Sequence, residues 1–164
     1  MAEGIIIDGI YIEEVQLKYT SKGEYIYVKY VENGKKRSVR DSDRAIEHFY
    51  RVLQDLIPVR ARILGLKEYS KRINILGAKF KWKDGELVNV TLLGEYALGV
   101  QYIIRQGFFT VPYTSSNNYV GGIGFNQEDI KLLEELQAQA IIYVQGVREQ
   151  ITLDQTDDKE AIEQ

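Results

Sequence analysis

Hairpin turns and helical periodicity together predict an α+β fold, with an antiparallel sheet of about five to seven strands and two packed helices. The predicted hairpins lie near residues 24–40 and 72–93. They turn at Asn33-Gly34 and Asp84-Gly85, pairs that tolerate the positive φ a type I′ turn needs at both centres. The predicted helices span about 43–57 and 127–149, where apolar residues recur every three or four positions. With 164 residues, 45% of them hydrophobic, the chain is long enough to bury one core. Residues 1–153 are therefore expected to form a single globular domain, and the acidic segment 154–164 a disordered tail.

Each element has its own local reason. Val15-Gln16-Leu17-Lys18-Tyr19 alternates apolar and polar side chains, as a half-buried strand does. Ser21-Lys22-Gly23 supplies a turn, after which Tyr25, Tyr27 and Lys29 alternate with Ile26, Val28 and Tyr30. The return strand, Lys35 to Arg40, is strongly basic. Asp41-Ser42-Asp43 offers N-caps to a helix with Ile46, Phe49, Leu53 and Leu56 on one stripe. Pro58 is expected to end that helix, because it disfavours the α conformation at Ile57. Val59, Ala61 and Ile63 alternate with Arg60 and Arg62, which predicts a short strand, with a helical turn as the other option. In the second hairpin Ile73 and Ile75 occupy odd positions, whereas Ala78, Phe80 and Trp82 occupy even ones. Gly77 sits at the switch, where a bulge would re-aim the strand. Leu98 to Pro112 reads as extended and Tyr113 to Gly124 as a loop. Asn126 caps the last helix, whose first turn carries Glu128 and Asp129 at the positive end of the dipole.

A formal net charge of −3 conceals a reversal along the chain. Residues 33–83 hold fourteen Lys and Arg against five Asp and Glu, whereas residues 91–164 hold four against eleven. Such a split suits a surface for a phosphate-bearing partner. Lys79, Lys81 and Lys83 share one strand face at spacings of about 6.6–6.8 Å, which fits successive backbone phosphates. Lys35, Lys36, Arg37 and Arg40 extend that surface if the two hairpins lie side by side, with Arg60 and Arg62 between them in sequence. Tyr25, Tyr27 and Trp82 offer rings for stacking bases. The competing reading puts Trp82 in the core and leaves the lysines to guard an edge strand.

Much chemistry is disfavoured. There is no cysteine and only one histidine, His48, so thiolate sites, Cys–His catalysis and multi-histidine metal sites are excluded. Glu13 and Glu14 are adjacent on a strand and are expected to point to opposite faces. Asp41 and Asp43 read as caps, and Glu128-Asp129 and Glu134-Glu135 as a solvated helix face. Gly121-Gly122-Ile123-Gly124 lacks the Lys-Ser/Thr of a phosphate loop. A metal-dependent nuclease assembled from carboxylates of separate elements is the catalytic alternative; the expectation is a non-enzyme without cofactor or metal. The N-terminus has no basic n-region, and no apolar run approaches the ~18–20 residues that span a bilayer. The expected setting is the cytoplasm, with no membrane partner.

The strand Lys79–Trp82 leading into Asp84-Gly85, the extended segment ending at Val111-Pro112 and the closing helix carry a resemblance. That helix ends Tyr143-Val144-Gln145-Gly146-Val147-Arg148-Glu149-Gln150-Ile151-Thr152-Leu153. It is similar to the Tyr-x-x-Gly-x-Arg-x-Gln-x-x-Leu ending of a family of small phage-encoded proteins of unknown function. The match covers residues 72–153. It implies a bacterial host and a gene neighbourhood of replication and recombination, without an activity to transfer. Relatives that continue Gln-x-x-Leu-Phe resemble sliding-clamp peptides, whereas here Asp154 occupies the apolar position.

The resulting expectation is an accessory protein binding a phosphate-bearing ligand through its basic, Tyr-containing hairpins. The ligand is nucleic acid, or a nucleotide signal sequestered to counter host defence. The alternative is an inhibitor or adaptor acting on a host protein. It would use loop 108–124, with Phe109, Tyr113, Asn117, Asn118 and Tyr119 as contacts, and the acidic C-terminal region. Self-association is open.

Overall fold

The computed structural model describes residues 4–64, 73–97, 103–113 and 124–148. Its strands are β1 (Ile10–Thr20), β2 (Gly23–Glu32), β3 (Lys35–Asp41), β4 (Ile73–Lys83), β5 (Glu86–Ala97) and β6 (Ile103–Pro112). They form one antiparallel sheet in the order β3-β2-β1-β4-β5-β6. The helices are α1 (Glu47–Asp55), α2 (Ile57–Leu64) and α3 (Gln127–Val144). The fold is α+β, as the sequence predicts. No helix among the described residues is long and apolar enough to cross a membrane.

One sheet face makes the core. Ile12, Val15, Val28, Ala78, Phe80 and Val90 meet Phe49, Leu53, Leu133, Leu136 and Ile141 of the helices in a single cluster. Strand alternation sends every second side chain to the other face, and among the described residues no helix packs there. Both predicted hairpin turns have the required backbone, with φ of 50° and 82° at Asn33-Gly34 and 54° and 80° at Asp84-Gly85. The β4 register shifts between Ile75 and Gly77. A side chain at Gly77 would put its Cβ 1.9 Å from the Val15 carbonyl oxygen, so only glycine lets β4 close on β1 there.

Several boundaries differ from expectation. α1 begins at Glu47, with Ile46 as N-cap and no side-chain cap. Asp41 does not cap it: β3 runs on through that residue, and its carboxylate accepts the Asp43 N–H at 2.9 Å instead. Pro58 does not terminate α1, which ends at Asp55. It lies in the first turn of α2, where a missing N–H costs nothing. The short strand over Val59–Ile63 is therefore a helix, and Val59, Arg60 and Ala61 are all buried, which alternation would forbid. Among the described residues the layer thus contains three helices.

α3 has the predicted Asn126 cap, in a reciprocal capping box with Asp129. It stops five residues before the expected end at 149. Gly146, at φ 106°, gives its N–H to Tyr143, and Val147 gives its own to Ile142, a Schellman ending that a left-handed glycine favours. The two basic hairpins do not lie side by side, because β1 separates them. The predicted tail 154–164 and the glycine-rich run at 121–123 lie outside the described residues.

Candidate functional site

The sheet face that no described helix covers is where the basic residues gather. Cross-strand pairing sets its rows. Ser38, Lys29, Glu14, Lys79 and Thr91 stand side by side from β3 to β5. The next row is Arg40, Tyr27, Gln16, Gly77 and Leu93, followed by Tyr25 beside Lys18. Lys81 stands opposite Asn89 on the other side of the first row. Rows on one face are about 6.6–6.8 Å apart and strands about 4.8 Å. The cations between β3 and β4 are thus spread over about 14 Å.

Two open grooves follow from this arrangement. One, of about 470 Å³, is lined by Glu14, Gln16, Lys18, Tyr25, Lys79 and Leu93. The other groove, of about 400 Å³, is lined by Glu13, Lys29, Lys81, Asn89 and Thr91, and meets the first at Glu14 and Lys79.

Rings and cations interleave here. The Arg40 guanidinium lies 4.2 Å from the Tyr25 ring centroid, and the Lys18 ammonium 5.2 Å from that of Tyr27. Lys29, Lys79 and Lys81 are exposed and form no ion pair among the described residues. A surface that only needed neutral decoration would pair such charges across strands. Lys36 reaches Glu13 at 3.4 Å, and Arg37 reaches Glu32 at 3.3 Å. Lys35 and Lys83 sit at hairpin ends opposite Glu32 and Glu86.

Other expected site residues lie elsewhere. Arg60 is only 1% exposed, and burial lowers its pKa to about 9. Arg62 donates to the Gly124 carbonyl at 2.9 Å and to Asp129 at 2.5 Å, tying α2 to the start of α3. Neither belongs to a ligand surface, because Arg60 is buried and Arg62 is held at the start of α3. Trp82 packs against the core and donates its indole N–H to the Ile12 carbonyl at 2.8 Å. Its ring lies 4.5 Å from that of Tyr11, so it is not a free stacking platform.

Tyr113 is fully buried and its hydroxyl accepts from Gln137 at 3.2 Å, which removes it from any exposed partner loop. Burial pushes its phenol up to about 12. The side chain of Phe109, and Asn117, Asn118 and Tyr119 entirely, lie outside the described residues. His48 is on the helical side, with Nε2 2.5 Å from a Glu135 carboxylate oxygen. Asp129, expected on a solvated face, is buried with Arg62.

The structure thus brings together Tyr25, Tyr27, Arg40, Lys79 and Lys81. It adds Lys18 and Lys29, which the sequence reading left out of the site. Their signal was present in the alternation of β1 and β2, but only strand pairing shows that they neighbour Lys79. No family model matches the chain, and neither a curated protein nor a solved structure matches it closely enough to carry an argument.

Proposed function

We propose that the protein binds nucleic acid through its open sheet face, as a non-enzymatic accessory protein of phage type inside a bacterial host. One observation carries this reading. Lys29, Lys79 and Lys81 stand unpaired among the described residues on the same face as Arg40, Lys18, Tyr25 and Tyr27. Unneutralised cations in rows favour a polyanion, which releases counterions when it binds. A nucleotide signal is the weaker reading, since small ligands favour enclosed pockets and these cations lie across an open surface. The reading as a protein-binding adaptor draws no support from Tyr113, an expected contact, which is buried.

The test measures affinity for a labelled DNA oligonucleotide against salt concentration, in wild type and in a K29E/K79E/K81E variant. The reading expects wild-type affinity to fall steeply with salt and the variant to lose binding. Unchanged binding by the variant would sink it.

A further inference from the structure

Building on the nucleic-acid reading, we infer that the face takes a single strand rather than a duplex, with unpaired bases stacked on Tyr25 and Tyr27 and phosphates on Lys29, Lys79 and Lys81. Tyr25 and Tyr27 both sit on the face away from the core, two residues apart on β2, so their Cα atoms are about 6.6–6.8 Å apart along the strand. Each ring already has a cation close by, Arg40 at Tyr25 and Lys18 at Tyr27. The cations therefore hold the rings in place, and a base that stacks on them costs little further ordering.

A duplex offers such rings nothing. Its base faces are covered by their neighbours, and only edges and phosphates are accessible. A single strand presents both a phosphate chain and unstacked bases.

The charge distribution points the same way. Glu14 stands between Lys29 and Lys79 in the same row, so phosphate is repelled from the middle of the face and attracted on either side. Duplex-binding surfaces commonly engage about 6–10 phosphates. The unpaired lysines here can serve only a few. With about three or four phosphates neutralised, the single-strand slope of log K against log salt is about −2 to −3.

Fluorescence anisotropy with a labelled dT12 strand, the matching duplex and inorganic polyphosphate as competitor tests this on the full chain. Circular dichroism checks that each variant is folded. The inference expects dT12 to bind at least about tenfold more tightly than duplex, and polyphosphate to compete poorly. A Y25L/Y27L variant should lose about tenfold or more per ring, while Y25F/Y27F, which keeps both rings, binds as wild type. Equal binding of strand and duplex, or an unchanged Y25L/Y27L variant with binding still salt-dependent, overturns the single-strand inference and leaves the nucleic-acid reading standing. Failure of all nucleic acids to bind overturns both.

Discussion

The guanidinium of Arg148 lies over the ring of Tyr143, 3.6 Å from its centroid, and also donates to the Asp41 carboxylate at 3.1 Å. The Tyr143 hydroxyl donates in turn to the Asp43 carbonyl at 2.5 Å. The Tyr-x-x-Gly-x-Arg ending is thereby a structural clasp. It fastens the end of α3 to the segment that joins β3 to α1, with Gly146 reversing the chain between the two side chains.

Replacing Arg148 with Met should cost about 1–2 kcal/mol, from the lost cation–ring contact and hydrogen bond. Lysine should restore only part, since an ammonium cannot lie flat on the ring and reach Asp41 together. Urea denaturation of R148M and R148K checks both.

The same clasp predicts an acid-sensitive arm. The Asp43 N–H first, and Arg148 after it, hold the Asp41 carboxyl below its ordinary value against a smaller opposing effect of burial. A depressed folded pKa contributes stability above the unfolded value of about 3.9, and that contribution disappears as pH falls through the folded value. The stability difference between wild type and D41N, present at neutral pH, should therefore close in acid. A difference that persists unchanged to about pH 2 would contradict it.

At the alkaline end the sign reverses. Burial pushes the phenols of Tyr113 and Tyr143 up to about 12. Unfolded tyrosines ionise near 10, so between about 10 and 12 the unfolded chain sheds protons that the native one keeps, and stability falls. Guanidinium midpoints measured from pH 9 to 11 should decline in wild type and less steeply in Y113F or Y143F.

Arg62 and Asp129 form a nearly buried pair, with side-chain exposures of 18% and 5%. An R62Q change takes the cation from a buried carboxylate, which keeps the Asn126 N–H, and should cost about 2–3 kcal/mol. D129N keeps a polar cap for α3 and leaves Arg62 some access to water, so it should cost less. Thermal unfolding ranks the two, and the order R62Q above D129N is the decisive outcome. Neither change should alter oligonucleotide affinity, because the pair lies on the helical side of the sheet.

Local chemistry set much of this molecule. Asn33-Gly34 and Asp84-Gly85 fixed two hairpins, the parity switch at Gly77 marked the bulge, and Asn126 with Asp129 marked the start of α3. Each signal involves residues close in sequence, and the backbone geometry they permit is narrow. Helix boundaries were less legible. Asp41 had Asp43 and Arg148 as competing partners, and Pro58 is as suited to a first turn as to an ending. Which role each took depended on distant groups.

The basic block divides in the same way. Sequence alone determined that Lys79, Lys81 and Lys83 share one side of a strand, and that Tyr25, Tyr27 and Lys29 share one side of another. Only the tertiary structure decided that β1 lies between those strands, that Lys18 and Lys29 join the same face, and that Arg60 and Arg62 belong to the interior. The physical reason is that alternation fixes a side chain's face within its own strand, whereas strand order and register arise from long-range pairing and burial of the whole sheet.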